Sequence, residues 1–275
     1  MRIGIIDYLL RARDSMLPHL ARELGFDSIE LAIDKFGDPG RLMFDPERGD
    51  DMVYLTKSAG VGISSVNAIQ FLQQNLLDPD PVRRRPTGLL VKGLFERSLA
   101  IGADVVVLPL LGASEVRGDD ELLALTELLP IWTRWAESLD IAVAIKTSLF
   151  AEQILRMLED FPAPHLGLSF DPALLAAMGR DPVAEWDKLA PRVHHVHLQD
   201  RTRAGLAASL GEGDAPLPTI IEAIVARQYA GAIVLSTPAG DHPKENARRN
   251  RVYLERLLTV AHRAKTERSL APTEP

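Results

Sequence analysis

Short apolar runs rich in β-branched residues recur along the chain at Ile3–Ile6, Ser28–Ala32, Gly62–Val66, Asp104–Leu108, Ile141–Ile145, Leu166–Phe170, Val193–Leu198 and Ala232–Leu235. Runs this short, with little polar alternation, read as strands buried on both faces, which is what a parallel sheet covered by helices requires. The stretches between them carry helical spacing. Met16-Leu17-Leu20-Ala21-Leu24 closes on Gly25, and Leu122-Leu123-Leu125-Leu128-Leu129 leads to Trp132 and Trp135. Eight strands, each followed by enough chain for one crossover helix, predict an α/β fold: a closed, parallel eight-stranded (β/α)8 TIM barrel forming one domain over residues 1–265. A doubly wound open sheet is the competing topology, but no Gly-x-Gly-x-x-Gly turn follows Ile3–Ile6. Residues 266–275 are expected to form a frayed, disordered tail.

Sites in such barrels are built from residues at the C-terminal ends of the strands. Those ends supply Asp7, Glu30 with Asp34, Asn67, Pro109, Lys146 with Thr147, Asp171, His195 with His197 and Asp200, and Ser236 with Thr237. The densest stretch runs from Val193 to Leu217. Period two puts His195 and His197 on one side of the strand and Val196 and Leu198 on the other. Two imidazoles facing one way, with Asp200 and Arg201 directly after them, are expensive to bury unpaired and therefore mark a site. Arg201 and Arg203 suit a phosphate or carboxylate, or equally a salt bridge to Asp200 or Asp214. Gly211-Glu212-Gly213 reads as a shaped turn, and Trp132, Trp135 and Trp186 as helix packing.

Charge and composition exclude several classes. The net charge is −7, from 38 acidic and 31 basic residues, and Arg83-Arg84-Arg85 is the one compact basic run, so neither nucleic acid nor an anionic membrane is indicated as a partner. With no cysteine, disulfide scaffolds and thiolate chemistry are excluded, and any metal site must use histidine and carboxylates. No apolar stretch approaches 18 residues and the N-terminal run is too short for a signal peptide, so a cytoplasmic location is expected.

The order Ile29-Glu30-Leu31, Ile63-Ser64-Ser65-Val66, Gly167-Leu168-Ser169-Phe170-Asp171-Pro172, His195-Val196-His197-Leu198-Gln199-Asp200 and Gly211-Glu212-Gly213 resembles the sugar phosphate isomerase/epimerase family. These are xylose isomerase-like TIM barrels, related to endonuclease IV. The resemblance implies a divalent metal at the barrel mouth, held by a Glu after strand 5, an Asp or His after strand 6, a His after strand 7 and a Glu after strand 8. It further implies that the two glutamates move a proton between adjacent carbons of a sugar. Here Lys146 and Ser236 stand at the glutamate positions and Leu174 where many relatives carry a His, while Asp171 and His197 survive as ligand candidates.

One carboxylate and one imidazole beside an ammonium make a poor site for a hard dication. No cofactor is therefore expected, and Lys146 is expected to pair with Asp171. Mn, Mg or Zn is the alternative, with Glu30 or Glu115 recruited as ligands. The expected function is a sugar or sugar-phosphate isomerase/epimerase-like enzyme acting on a small polyhydroxylated carbonyl compound. Lys146, Asp171 and His197 are its catalytic residues, and Glu30, Asn67, His195, Asp200, Arg201 and Ser236 face the substrate. Two other readings stand beside it: a non-catalytic sugar-binding or regulatory barrel, and a lyase or aldolase-like enzyme with a Schiff base on Lys146. Dimerisation is frequent in the resembled family, which leaves a homodimer open.

Overall fold

The computed structural model describes residues 1–270 apart from Pro46 and Ala163. The eight apolar runs become eight parallel strands: β1 (Arg2–Ile6), β2 (Ser28–Ala32), β3 (Gly62–Asn67), β4 (Val105–Leu110), β5 (Ala142–Thr147), β6 (Leu166–Phe170), β7 (Val193–Leu198) and β8 (Ala232–Leu235). Each pairs with its neighbours in sequence, and β8 returns to β1 through Ile3↔Ile233 and Gly4↔Val234, so the sheet closes into a barrel. Strand β5 extends beyond its apolar run, because Lys146 and Thr147 keep pairing with Pro109 and Leu110 of β4.

Around the barrel lie α1 (Leu17–Glu23), α2 (Gly49–Ala59), α3 (Pro81–Ala100), α4 (Asp119–Leu139), α5 (Ala151–Leu158), α6 (Pro172–Ala177), α7 (Pro182–Leu189), α8 (Leu217–Ala226) and α9 (Pro243–Leu270). Three helices start on an Asp-Pro pair. Asp80, Asp171 and Asp181 accept backbone N–H bonds from Val82, Leu174 and Val183, while the following proline lacks only an N–H that has no partner at a helix start. Most buried apolar side chains join one cluster between strands and helices, including Trp132 and Trp186; Trp186 packs edge-on against Phe170. A second, small cluster of Val105, Val107 and Ala144 lies apart from it. These residues are the period-two neighbours of Pro109 and Lys146, so the wall below those two mouth residues is apolar and filled.

The expected tail is corrected at Thr266–Leu270, where α9 continues. Thr266 Oγ1 donates to His262 O within the helix, and Arg268 reaches Glu222 of α8 at 3.4 Å. Residues 271–275 of that expectation lie outside the described residues.

Two pairings shift register. Between β2 and β3, Ile29 faces Ile63 but Glu30 faces Ser65, which leaves Ser64 as the extra residue. Between β6 and β7, Leu168 faces Val193 but Ser169 faces His195, which leaves His194 extra. Such bulges re-aim side chains. Here they set Ser65 opposite Glu30 and Ser169 opposite His195, and both pairs are in hydrogen-bond contact across the strands.

Candidate active site at the barrel mouth

Residues at or near the ends of several strands converge inside the barrel. At the bottom is Glu30, fully buried on β2. Its Oε1 accepts from His197 Nε2 at 2.6 Å and from Asn67 Nδ2 at 3.1 Å, and its Oε2 accepts from Ser65 Oγ at 2.7 Å. His195 Nε2 lies 2.6 Å from Oε2, although its N–H does not point along that contact, so it counts as a close polar approach rather than a hydrogen bond. The two imidazoles meet edge to face, 4.4 Å between centroids, and Ser169 Oγ holds His195 Nδ1 at 3.0 Å.

Above them the chain continues outward. His197 Nδ1 lies 3.1 Å from Lys146 Nζ, and Lys146 Nζ donates to Asp171 Oδ2 at 2.6 Å. Gln199 Nε2 also donates to Asp171 Oδ2, and Leu174 N to Asp171 Oδ1 at 3.1 Å. Asp171 is thus both the cap of α6 and the partner of the lysine. Thr147 and Ser148 do not replace Lys146 in this role; Ser148 Oγ donates instead to Glu115, away from the cluster.

Charged groups flank the His197 imidazole along this line. Burial would raise the Glu30 pKa, but the two imidazoles reverse that and hold it well below the usual carboxylate range. Burial likewise pushes Asp171 up, and the Lys146 ammonium outweighs it, leaving Asp171 below its ordinary value. His197 is pushed down to about 4, mainly by burial, against the pull of Glu30. It is therefore neutral near pH 7, with Nε2–H toward Glu30 and the Nδ1 lone pair toward Lys146.

The top of this line opens into a mouth cavity of about 290 Å3. Polar groups on its wall are Tyr8, Asn67, Lys146, Asp171, His197, Gln199, Arg201 and Ser236. Tyr8 and Ser236 hydrogen-bond at 3.0 Å. Arg201 is already engaged, donating to Gln199 Oε1 and Gly205 O, each at 3.2 Å, so it braces the glutamine that contacts Asp171. Arg203 is exposed, 3.6 Å from Asp214.

The nine singled-out residues do not all reach the cavity. Lys146, Asp171, His197, Asn67, Arg201 and Ser236 line it, whereas Glu30 and His195 lie beneath it. Asp200 is placed elsewhere. It is fully buried and accepts backbone N–H bonds from Arg201, Gly211, Gly213 and Ala215, so it organises the loop after β7 rather than facing a substrate. Gly213 has no room for a side chain there, since a Cβ would stand 2.2 Å from Asp200 Oδ1. Tyr8 and Gln199 were missed by sequence reasoning. Tyr8 follows the strand-end Asp7, and Gln199 continues the period two of His195 and His197, so both carried a signal.

The residues at the strand ends do not fit the metal that the resemblance implies. Lys146, Asp171, His197 and Ser236 supply one carboxylate and one imidazole, and the ammonium sits between those two at hydrogen-bond distance. Glu30, His195 and His197 form another group of ligand-type atoms. Tetrahedral zinc ligands with bonds of about 2.0 Å stand roughly 3.3 Å apart. The 2.6 Å contact between Glu30 Oε1 and His197 Nε2 is instead a direct hydrogen bond.

A closed parallel barrel with a polar mouth at its strand ends defines a (β/α)8 protein. The chain belongs to the xylose isomerase-like TIM barrel family, whose sequence profile matches residues 18–257. No curated protein sequence matches it. Among solved structures it is similar to an L-ribulose 3-epimerase, at TM-score 0.81 and 17% identity over 100% of this chain and 99% of that one. It is also similar to a D-tagatose 3-epimerase-like protein, at TM-score 0.79 and 19% identity over 96% and 99%. A 3-keto-D-glucoside 4-epimerase from E. coli follows at TM-score 0.75 and 15% identity over 93% and 99%. The chain is a divergent member, and at these identities the likeness shows the fold.

Proposed function

We propose that the protein is a sugar isomerase/epimerase-like enzyme acting on a small polyhydroxylated carbonyl compound, free or phosphorylated, in the mouth cavity. In this reading the Lys146 ammonium is the site's fixed cation. The observation that carries it is the position of Lys146 Nζ, 2.6 Å from Asp171 and 3.1 Å from His197, the two residues that survive from the family's ligand set.

An ammonium has three N–H donors. Asp171 and His197 take two, and the third is available to a substrate carbonyl or hydroxyl oxygen from the cavity that Lys146 lines. A positive charge held there stabilises the enediolate formed when a proton leaves the carbon beside the carbonyl. Asp171 is the one carboxylate among the residues lining the mouth, and hence the acceptor for that proton. A Schiff base is less well supported, because it needs a free amine and Lys146 is committed to an ion pair.

One observation favours a second reading, a sugar-binding barrel without turnover. Asp171 already accepts from Lys146, Gln199 and Leu174 N, which lowers its basicity. Incubation with pentoses, hexoses and their phosphate esters in D2O separates the two. Enzyme action gives deuterium at the carbon beside the carbonyl, insensitive to chelator and lost in Lys146→Met. Calorimetric binding of a sugar with no exchange supports the binding barrel, and neither signal with any sugar sinks both.

A further inference from the structure

Glu30 touches no part of the mouth cavity, yet it bonds His197, which lines it. A carboxylate only accepts hydrogen bonds, so each group bonded to it must offer a donor. Ser65 does so with Oγ–H and Asn67 with Nδ2. His197 does so with Nε2–H at 2.6 Å, and a neutral imidazole that carries its proton on Nε2 has a lone pair on Nδ1. That lone pair faces Lys146 Nζ at 3.1 Å.

We infer that Glu30 is a positioning residue that acts through His197: by fixing the Nε2–H tautomer it supplies the second acceptor that aims the Lys146 ammonium into the cavity. The opposite tautomer would be wrong at both ends. Its Nδ1–H would confront an ammonium, and its Nε2 lone pair would confront a carboxylate oxygen 2.6 Å away. One buried carboxylate thereby controls a contact two residues removed from it. Lys146 would otherwise be held by Asp171 alone, free to swing about a single hydrogen bond. The catalytic meaning of this arrangement rests on the proposed function, whereas the tautomer itself does not.

The test is 15N NMR of histidine-labelled protein near pH 7. The native protein should show His197 protonated on Nε2 and unprotonated on Nδ1. Glu30→Met is similar in size and offers no acceptor to Nε2, so in this variant the His197 proton should no longer be confined to Nε2 and the Nδ1-protonated form should appear. Ser65→Ala disturbs the same buried cluster but leaves the carboxylate, and should keep the native tautomer. With a sugar substrate in hand, E30M should lower kcat on the order of 10²-fold with little change in KM, because a misaimed cation costs the transition state more than the bound substrate. Native protein with the proton on Nδ1 overturns the inference even if E30M fails to fold. So does an E30M variant that keeps the proton wholly on Nε2, because Lys146 alone would then set the tautomer. Neither readout needs turnover, so a lack of sugar exchange counts against the proposed function and leaves the role of Glu30 standing.

Discussion

Asp7, the first residue after β1, is a carboxylate whose charge the barrel tolerates poorly. Its Oδ1 accepts from Ala32 N at 3.2 Å and its Oδ2 from Arg41 Nη2 at 2.5 Å, and Arg41 also bonds Asp14 and the Ala32 carbonyl. Burial nevertheless outweighs Arg41 and raises the Asp7 pKa from 3.8 to about 6. Between those values the folded protein binds more protons than the unfolded chain, so this group's contribution is intact below pH 4 and is lost as pH rises through 6. The loss amounts to about 3 kcal/mol. His197 works in the opposite sense: its pKa falls from 6.5 to about 4, so its contribution is present above 6.5 and is lost as pH falls through 4. Asp7→Asn removes one of these opposed slopes. Denaturant titrations should show the variant gaining on the native protein by about 3 kcal/mol between pH 4 and pH 7; a difference that stays flat with pH would mean that Asp7 ionises normally. Asp7 was legible as a polar strand end, but the Arg41 cluster was not, because Arg41 sits in a loop with no periodicity and meets partners 34 and 27 residues away.

At the scale of elements, β7 and its loop show what period two reveals and what it leaves out. His195 and His197 were assigned to one face and Val196 and Leu198 to the other, and the latter two are fully buried in the main apolar cluster while the imidazoles meet Glu30. Truncating Val196 or Leu198 to Ala should cost about 2–4 kcal/mol in denaturant titration, since the close-packed layer cannot refill the space. The loop obeys a different logic. Asp200 gathers four backbone N–H groups, so Asp200→Ala should strand several buried donors at once and cost about 3 kcal/mol or more. Hydrogen exchange at Gly211, Gly213 and Ala215 should accelerate in that variant; unchanged protection would show the loop to be held by other contacts. Sequence alone could not separate this role from a substrate contact, because both use an exposed-looking Asp after a strand. The bulges at Ser64 and His194 were equally hidden, since an extra residue in one strand changes pairing without changing the apolar pattern.

For the whole molecule, the spacing of eight apolar runs was sufficient to predict barrel closure, because strand-helix alternation at that repeat has few packed solutions. Among the described residues no helix is long and apolar enough to cross a membrane. The mouth was half legible: the polar strand ends and the pairing of Lys146 with Asp171 could be read, but not that Lys146 also reaches His197 on β7. Restoring the family's ligand pattern tests that arrangement globally. The double variant Lys146→Glu, Ser236→Glu presents three carboxylates and an imidazole, and calorimetry should detect Mn²⁺ binding that the native protein lacks. Stoichiometric metal copurifying with the native protein would instead point to recruited ligands such as Glu30 or Glu115.

The lysine at the centre of the mouth has a consequence for where the protein can work. A metal ion held by side chains is shared with every other chelator in its surroundings, and its occupancy follows their competition and the supply. Lys146 is attached to the backbone of β5, so its charge has no dissociation constant and no off-rate. On the proposed reading of Lys146 as the site's cation, the site is loaded as soon as the chain folds, and its activity should not follow the supply of metal in the environment.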